Sequence, residues 1–538
     1  MPIHQSSTQR RYARAASCIG PLLVTFLFAA LANQAAAQIR PVDLGTLGGT
    51  YSTAVRVNAG GHVVGNSTTA GDVAAHAFSW TASGGMLDIG TLGGRSSFAI
   101  DVNTSGQVVG GSTTAGDVAA HAFSWTAAGG MVDLGTLGGT SSFATGVNAS
   151  GQVVGDSAIA GDLAGHAFFW TAAGGMVDLG TLGGTSSSAL FVDASGQVVG
   201  TSYTAGDAAF HVFRWTAASG MVDLGTLGGT SSFVGEAFPG PERWFTPVNS
   251  KGQVVGASTT ASDAEWHAFS WTARGGMVDL GALGGSYTVA VGVSASGQVV
   301  GWSAIAGDST IHAFSWTPAD GMVDLRTLSG SGQSLAFGVN AAGQVVGSST
   351  TAGAAGSHPF MWTAAGGMVD LGTLGGTYGS AYSINNNGIA AGESTLANES
   401  LHATLWQLPR PPRCGTARPD RPVLWPPNHK LVPVQIVGIS DPDNHSLTTT
   451  ITGVTQDEPG NSLGDGNTSR DAIIQETGVL LRAERAGGSN GRVYRVHFRA
   501  DNGLGGVCTG SVPVIVPKNM KSERAVIDDG QRYDSTRQ

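Results

Sequence analysis

Carboxylates and aromatic residues suited to chemistry are concentrated in one short segment and in a loop soon after it. The segment between Phe233 and Val248 reads VGEAFPGPERWFTP, and the loop reads SDAEW. Exposed aromatic rings flanked by carboxylates suit stacking on a sugar and hydrogen bonding to its hydroxyls. The candidate ligand-binding residues are Glu236, Glu242, Arg243, Trp244, Phe245, Glu265 and Trp266.

Two other uses of these residues stay open. Glu236, Glu242 or Glu265 would supply the acid and the nucleophile or base of a glycoside hydrolase, if two carboxyl groups lie at the required separation. Alternatively, the longer segment packs against its neighbours and binds nothing. We expect no catalytic site, because no Gly-x-Ser-x-Gly, zinc-protease helix or nucleotide fingerprint occurs.

The segment and the loop both depart from a repeat of about 45 residues. Neighbouring repeat histidines are separated by 45, 45, 45, 56, 45, 46 and 44 residues, so one unit carries an insertion. A tryptophan follows each histidine by four residues. Repeats of this size indicate an array of supersecondary units. The repeat histidines are His76, His121, His166, His211, His267, His312, His358 and His402.

Each unit is predicted to form four short strands, typified by SSFATGVN, QVVG, HAFFWT and MVDLGTL. Asn148 and Gly151 suit a tight turn between the first two strands. Units of this kind predict propeller blades. The chain enters at the strand of Asp43 and leaves the array at Trp406 without a fourth strand. We therefore predict an eight-bladed β-propeller over residues 38–408, closed by its N-terminal strand; an open β-solenoid is the alternative.

The eight histidines could form a metal ring only if they lined the axis, because one histidine per blade is otherwise too far from the next. Their recurrence with aspartate and tryptophan predicts instead a structural hydrogen-bond network inside each blade. Aspartates in the Gly-Asp pairs, such as Asp72, are predicted to cap turns. We expect no cofactor. Calcium is the alternative for these loops and for the tail carboxylates, which are Asp457, Glu458, Asp465 and Asp471.

The repeat resembles the HAF family of bacterial extracellular repeats. The resemblance rests on His76-Ala77-Phe78 and its later copies, on VNxxGQVVG and on DLGTLGG, all in register from Asp43 to Trp406. It implies secretion and a repeat fold, and it implies no particular activity.

The N-terminal residues 1–37 are predicted to be a secretory signal peptide. Arg10, Arg11 and Arg14 precede an apolar run from Pro21 to Ala32, and three alanines end at residue 37. The run is short for a membrane span, so an uncleaved anchor is the less favoured reading. We expect an extracellular or cell-envelope protein without a transmembrane span after cleavage.

The predicted propeller is strongly acidic. Residues 38–408 contain 23 acidic and 8 basic residues, a net charge of −15, whereas the chain from Pro409 onward has a net charge of +2. An acidic surface repels phosphate backbones, so nucleic-acid binding is disfavoured. An extracellular glycan or a surface protein is the expected partner.

The tail has a different organisation from the array. A proline-rich linker spans residues 409–413, and strand patterns such as Ala472–Ala483 predict a small Ig-like β-sandwich over residues 414–517. Cys414 and Cys508 are predicted to form a disulfide that ties the ends of this domain together. LWPPNHKLVPV resembles the start of an accessory immunoglobulin-like module of secreted bacterial proteins. Residues 518–538 are predicted to be disordered.

These patterns predict a secreted extracellular repeat protein that acts as a binding or surface-interaction scaffold, with carbohydrate as one candidate ligand. A propeller-type polysaccharide hydrolase and a passive structural spacer are the alternatives.

Overall fold

The computed structural model describes residues 39–235, 245–353, 356–460, 470–519 and 526–537. These residues are mostly strand, with two short 3₁₀ turns at Ala70–Asp72 and Ala205–Asp207. The predicted all-β class is confirmed. In the described residues, no helix has the length and apolar character that a membrane span requires. The predicted signal peptide lies outside the described residues.

Strands β1 to β32 form four-stranded antiparallel sheets in which strands consecutive in sequence are neighbours, the unit from which β-propellers are built. Strand β1 is Pro41–Asp43. Sheet 1 has β2 (Gly48–Val57), β3 (Val63–Thr69), β4 (Ala75–Thr81) and β5 (Gly85–Asp88); sheet 2 has β6 (Gly93–Val102), β7 (Val108–Thr114), β8 (Ala120–Thr126) and β9 (Gly130–Asp133); sheet 3 has β10 (Gly138–Val147), β11 (Val153–Ile159), β12 (Gly165–Thr171) and β13 (Gly175–Asp178); sheet 4 has β14 (Gly183–Val192), β15 (Val198–Thr204), β16 (Phe210–Thr216) and β17 (Gly220–Asp223).

The second half of the array repeats this plan, and one parallel bridge between Trp266 and Tyr287 joins sheets 5 and 6. Sheet 5 has β18 (Gly228–Phe233), β19 (Val254–Thr260), β20 (Trp266–Thr272) and β21 (Gly276–Asp279); sheet 6 has β22 (Gly284–Val293), β23 (Val299–Ile305), β24 (Ile311–Thr317) and β25 (Gly321–Arg326); sheet 7 has β26 (Ser334–Val339), β27 (Val345–Thr350), β28 (Ser357–Thr363) and β29 (Gly367–Asp370); sheet 8 has β30 (Gly375–Ile384), β31 (Ile389–Leu396) and β32 (Leu401–Gln407), completed by β1.

The repeated glycine of VVG and the repeated phenylalanine of HAF depend on each other. A Cβ on Gly65 would collide with the Thr53 carbonyl oxygen and with the ring of Phe78. The missing side chain therefore leaves room for the ring, which is fully buried. Truncating such a ring to alanine costs about 3–5 kcal/mol, so the buried phenylalanine is a main source of stability in sheets 1 to 7, whereas sheet 8 has Thr404 at this position.

Most hydrophobic clusters of the array lie between two consecutive sheets. For example, Val109 and Ala122 of sheet 2 pack with Phe168 of sheet 3. The same kind of cluster joins sheet 8 to sheet 1, since Leu405 packs with Phe78. Strand β1 pairs with β32, so the first residues of the array lie in the sheet that contains its last ones.

The tail forms a second group of sheets. Its strands are β33 (Arg418–Pro419), β34 (Leu431–Val434), β35 (Ile436–Val437), β36 (Thr448–Gln456), β37 (Ala472–Gln475), β38 (Gly478–Arg482), β39 (Gly491–Asp501), β40 (Val507–Pro517) and β41 (Tyr533–Asp534). Sheets β34-β38-β37 and β40-β39-β36-β41 enclose a common core that contains Leu481 and Tyr494. The predicted disulfide between Cys414 and Cys508 is present, with a Cα–Cα distance of 5.9 Å.

Two expectations for the tail differ from the structure. The single strand predicted over Ala472–Ala483 is a hairpin, because the chain turns at Glu476 and Thr477 and β37 pairs with β38. The stretch predicted to be disordered, residues 518–538, contains β41, which covers the edge of β36. Ser535 supports this position: its N–H donates to the Val454 carbonyl at 3.0 Å, and its carbonyl accepts from Ala472.

The proline-rich linker is held on both sides. The Pro409 carbonyl accepts from Gln344 Nε2 at 2.8 Å. Arg410 Nε donates to Asp443 Oδ1 at 2.8 Å, which fixes the linker to the tail module. Thr363 Oγ1 also donates to the Gly505 carbonyl at 3.0 Å, so the module contacts sheet 7 directly.

Candidate functional site

The two aromatic candidates that can be described take part in packing. Phe245 is 8% exposed, and its ring centre lies 6.0 Å from that of Trp302. Trp266 is half-buried and stacks on Phe210 with ring centres 6.2 Å apart. Glu236, Glu242, Arg243 and Trp244 lie outside the described residues.

Phe245 and Trp266 belong to one hydrophobic cluster. Glu265, directly before Trp266, lies at the other end of sheet 5 from the turn that Asn249 opens. It belongs to the loop between β19 and β20, whereas Asn249 opens the turn that leads into β19. Strand β19 therefore separates the two by roughly 20 Å. Glu265 Oε2 lies 3.2 Å from His267 Nε2, so this carboxylate already contacts a histidine of the repeat.

The end of the insertion reaches a residue of sheet 1. Arg56 donates from its guanidinium NH2 group to the Phe245 carbonyl at 3.3 Å. The Nε atom of Arg56 lies 3.3 Å from Asp101 Oδ1 of sheet 2, and the two side chains are only 12% and 17% exposed. Burial raises the pKa of the Asp101 carboxyl, and the Arg56 cation and the Val147 N–H oppose that rise.

A cavity of about 660 Å³ lies over the turns that join the first and second strands of sheets 1 to 5. We call it the turn-end cavity. It is lined by Asn58, Ala59, Asp101, Val102, Asn103, Thr104, Val147, Asn148, Ala149, Phe191, Val192, Asp193, Ala194, Ser195, Gln197, Asn249, Ser250, Lys251 and Gly252. Its size falls within the usual range for ligand pockets.

Side-chain amides connect these turns from sheet to sheet. The Asn58 amide donates to the Asn103 carbonyl at 2.9 Å, and Asn103 repeats the contact with Asn148 at 3.0 Å. Asn385 of sheet 8 donates to the Asn58 carbonyl at 2.9 Å, which links the last sheet to the first. The repeat asparagine is therefore a connector as well as a turn former.

Several departures from the repeat line the turn-end cavity. Each repeat unit carries the number of its sheet. At the position two residues before the turn asparagine, units 3, 6 and 7 have glycine, whereas unit 2 has Asp101 and unit 4 has Phe191. Asp193 replaces the turn asparagine in unit 4, and Lys251 stands in unit 5 where most units have a small residue. All four line the cavity.

Gln197 presents a donor without a partner among the described residues. In units 2, 5 and 6 the equivalent glutamine donates its amide to a serine hydroxyl, as Gln107 does to Ser124 at 2.8 Å. Arg214 replaces that serine in unit 4 and donates to Gln197 Oε1 at 3.3 Å. The Nε2 group of Gln197 is left buried and unmatched.

The repeat histidines make the same contact in every sheet. The Nδ1 atom of each lies 2.7–3.0 Å from a carboxylate oxygen of an aspartate on the neighbouring strand. The aspartate also accepts from a backbone N–H two residues later, as Asp88 Oδ1 does from Gly90 at 2.8 Å. These contacts hold the third strand, the fourth strand and the following turn together.

The Gly-Asp loops use their carboxylates internally. Asp72 Oδ1 accepts from the Thr68 hydroxyl at 2.6 Å and from the Thr50 N–H at 2.8 Å. These bonds lower the pKa of Asp72, with the Thr68 hydroxyl as the largest cause. The aspartate has a φ of 55°, a left-handed conformation that aspartate tolerates in turns.

Buried carboxylates of the tail module surround one arginine. Arg492 is fully buried and lies 3.1 Å from Glu458, 2.9 Å from Asp471 and 3.3 Å from Glu484. Burial, with Glu484 nearby, raises the pKa of Asp471 to about 7. Asp465 lies outside the described residues. Asp441, Asp443 and His445 form the one group of metal-type ligands found among the described residues, and Arg410 binds its Asp443.

Sequence reasoning missed Arg56, Asp101, Phe191 and Gln197. The signal for the first three was available, since alignment of the units on the turn asparagine exposes the variable position two residues earlier. The environment of Gln197 depends on Arg214, which lies on the next strand, so the position of the glutamine alone gives no hint of it.

No family model and no curated protein matches the chain. Among solved structures, "The structure of putative TolB from Agrobacterium tumefaciens" is similar with a TM-score of 0.28 and 11% identity, covering 48% of this chain and 86% of that chain. The beta-propeller domain of the Trilobed protease from Pyrococcus furiosus is similar with a TM-score of 0.36 and 10% identity, covering 58% of this chain and 95% of that chain. At these TM-scores the fold assignment depends on the strand order described above.

Proposed function

We propose that the chain is an exported binding scaffold of the HAF type, a closed eight-bladed β-propeller followed by an Ig-like module, with its ligand site in the turn-end cavity. The pairing of β1 with β32 and the Asn385–Asn58 contact support closure. In a ring of eight, units 1 and 5 lie opposite each other, so the Arg56–Phe245 contact would span the channel.

One observation carries the binding role. Asp101, Phe191, Asp193 and Lys251 depart from the repeat in three different units, and all line one cavity. A passive spacer has no need for such convergence, because identical units would stack equally well. Of the three carboxylates of the hydrolase alternative, Glu265 contacts His267 at the end of its sheet away from this cavity, and Glu236 and Glu242 lie outside the described residues. Extracellular or envelope localisation follows from the predicted signal peptide.

A cavity-filling variant tests the site. Ala149 is exposed and lines the cavity, so Ala149→Trp should obstruct it without disturbing a core. The matched control is Ala173→Trp, an exposed alanine in the turn between the third and fourth strands of the same sheet. Binding of the purified chain to cell-envelope fractions and to purified polysaccharides would be measured by pull-down.

We expect the native chain and Ala173→Trp to bind and Ala149→Trp to lose binding. Equal binding by all three proteins would refute the turn-end cavity as the site. No binding by the native chain to any fraction would favour the spacer.

A further inference from the structure

The turn-end cavity combines an aromatic surface with neutral overall charge. Phe191 is half-buried and lines the cavity, at a position where unit 8 has Ser383. The charged lining residues are Asp101, Asp193 and Lys251. Arg56, which is not part of the lining, lies 3.3 Å from Asp101, so these four charges sum to zero. A charged ligand therefore gains little there, although the surrounding array has a net charge of −15.

Polar groups of units 4 and 5 offer both kinds of hydrogen bond in the same cavity. Asp193 Oδ1 accepts from the Ser195 N–H at 2.8 Å and from the Gln197 N–H at 2.9 Å, while its Oδ2 makes no hydrogen bond to a described residue. Lys251 of unit 5 lines the same cavity and supplies the donors. An acceptor and a donor in a cavity with an aromatic lining match the hydroxyls and the apolar face of a sugar ring.

We propose that the turn-end cavity binds a neutral oligosaccharide, with Phe191 as the stacking surface and with Asp193 and Lys251 as hydrogen-bonding groups. This inference rests on the proposed function and names the ligand class of the same site. The cavity of about 660 Å³ is large enough for a short oligosaccharide, so the chain would recognise a segment or an end of a polysaccharide.

Calorimetric titration of the purified chain with malto-, cello- and xylo-oligosaccharides tests the ligand class, and oligogalacturonate provides an acidic comparison. Phe191→Ser introduces the residue that unit 8 already carries at this position. Because Phe191 also packs against the core shared by sheets 4 and 5, the melting temperature of the variant is measured beside its affinity. Tyr203→Ala is the matched control, an aromatic residue of the same sheet that is 42% exposed and lies at the end of β15 away from the turns. Phe191→Trp keeps an aromatic surface.

We expect at least one neutral oligosaccharide to bind, with affinity reduced at least tenfold by Phe191→Ser, retained by Tyr203→Ala and restored by Phe191→Trp. Oligogalacturonate should bind more weakly. Neutral binding that Phe191→Ser leaves intact would overturn the role of Phe191. If no neutral oligosaccharide binds while Ala149→Trp still abolishes capture of an envelope protein, the ligand class is wrong and the proposed function stands. If Ala149→Trp leaves all binding unchanged, the oligosaccharide as ligand and the turn-end cavity as binding site are both wrong.

Discussion

His402 Nδ1 lies 2.9 Å from Asp43 Oδ1, although 359 residues separate the two in the chain. Every other repeat histidine reaches an aspartate only twelve residues away, as His76 does with Asp88. In sheet 8, strand β1 therefore supplies the aspartate that the fourth strand supplies in every other sheet.

Removal of residues 38–43 should expose the edge of β32 and destabilise the array. Strand β1 covers that edge from Pro41 to Asp43, and an uncovered edge invites pairing with another chain. We expect a lower melting temperature in calorimetry and increased light scattering on heating. Asp43→Ala is the control: it removes the His402 contact but keeps the strand, so its effect should be smaller. An equal melting temperature for the truncated chain would contradict this role of β1.

Arg56→Ala should destabilise the array by about 3–5 kcal/mol, because it leaves the Asp101 carboxylate buried without its cation. Replacing both residues, as Arg56→Ala with Asp101→Asn, should cost less than Arg56→Ala alone, since no buried charge is left over. Urea unfolding at neutral pH measures both values. A double variant that is less stable than Arg56→Ala would show that the unpaired Asp101 charge is not the main cause of the stability lost in Arg56→Ala.

The same pair gives a pH dependence with a defined sign. The pKa of Asp101 is raised in the folded state, so its contribution to stability is greatest at low pH and decreases as pH rises through the folded value. Arg56→Ala removes the opposing cation and should steepen this decrease. The steeper decrease would appear in melting temperatures measured from pH 4 to pH 8 for the native chain and for Arg56→Ala. Parallel curves for the two proteins would argue against Asp101 as the titrating group.

The repeated units were predictable because similar local sequences favour the same local structure. The VVG glycine, the HAF phenylalanine and the Asn-x-x-Gly turn recur in most units and predict four strands in each, and the four-stranded sheets are confirmed. The contact between Phe245 and Arg56 was not predictable, because it joins residues 189 positions apart and depends on where the insertion of unit 5 lies. The same limit applies to the cavity, whose lining comes from turns of five sheets.

Reduction of the disulfide should destabilise the tail module selectively. Cys414 and Cys508 close a loop with a sequence separation of 94 residues, and loss of such a cross-link costs about 4–5 kcal/mol in the loop-entropy model. We expect one calorimetric transition to shift downward with dithiothreitol or in the double variant Cys414→Ser/Cys508→Ser. The transition of the array should stay in place. A uniform shift of all transitions would instead mean that module and array unfold together.

The tail module, followed by its own calorimetric transition, should become less stable as pH rises from about 4 to about 7. Its buried Asp471 has a pKa of about 7 in the folded state, against an ordinary value of 3.8, because burial disfavours the charged form. Between pH 4 and pH 7 the folded module therefore keeps a proton on Asp471 that the unfolded chain releases. The free energy of unfolding decreases across this pH range and stays constant above it. Asp471→Asn keeps the carbonyl oxygen but cannot ionise, so its transition temperature should vary less with pH. Asp528→Asn serves as the control, since the pKa of that carboxyl is lowered instead of raised. A native transition that moves upward between pH 4 and pH 7, or an Asp471→Asn slope equal to the native one, would remove Asp471 as the titrating group.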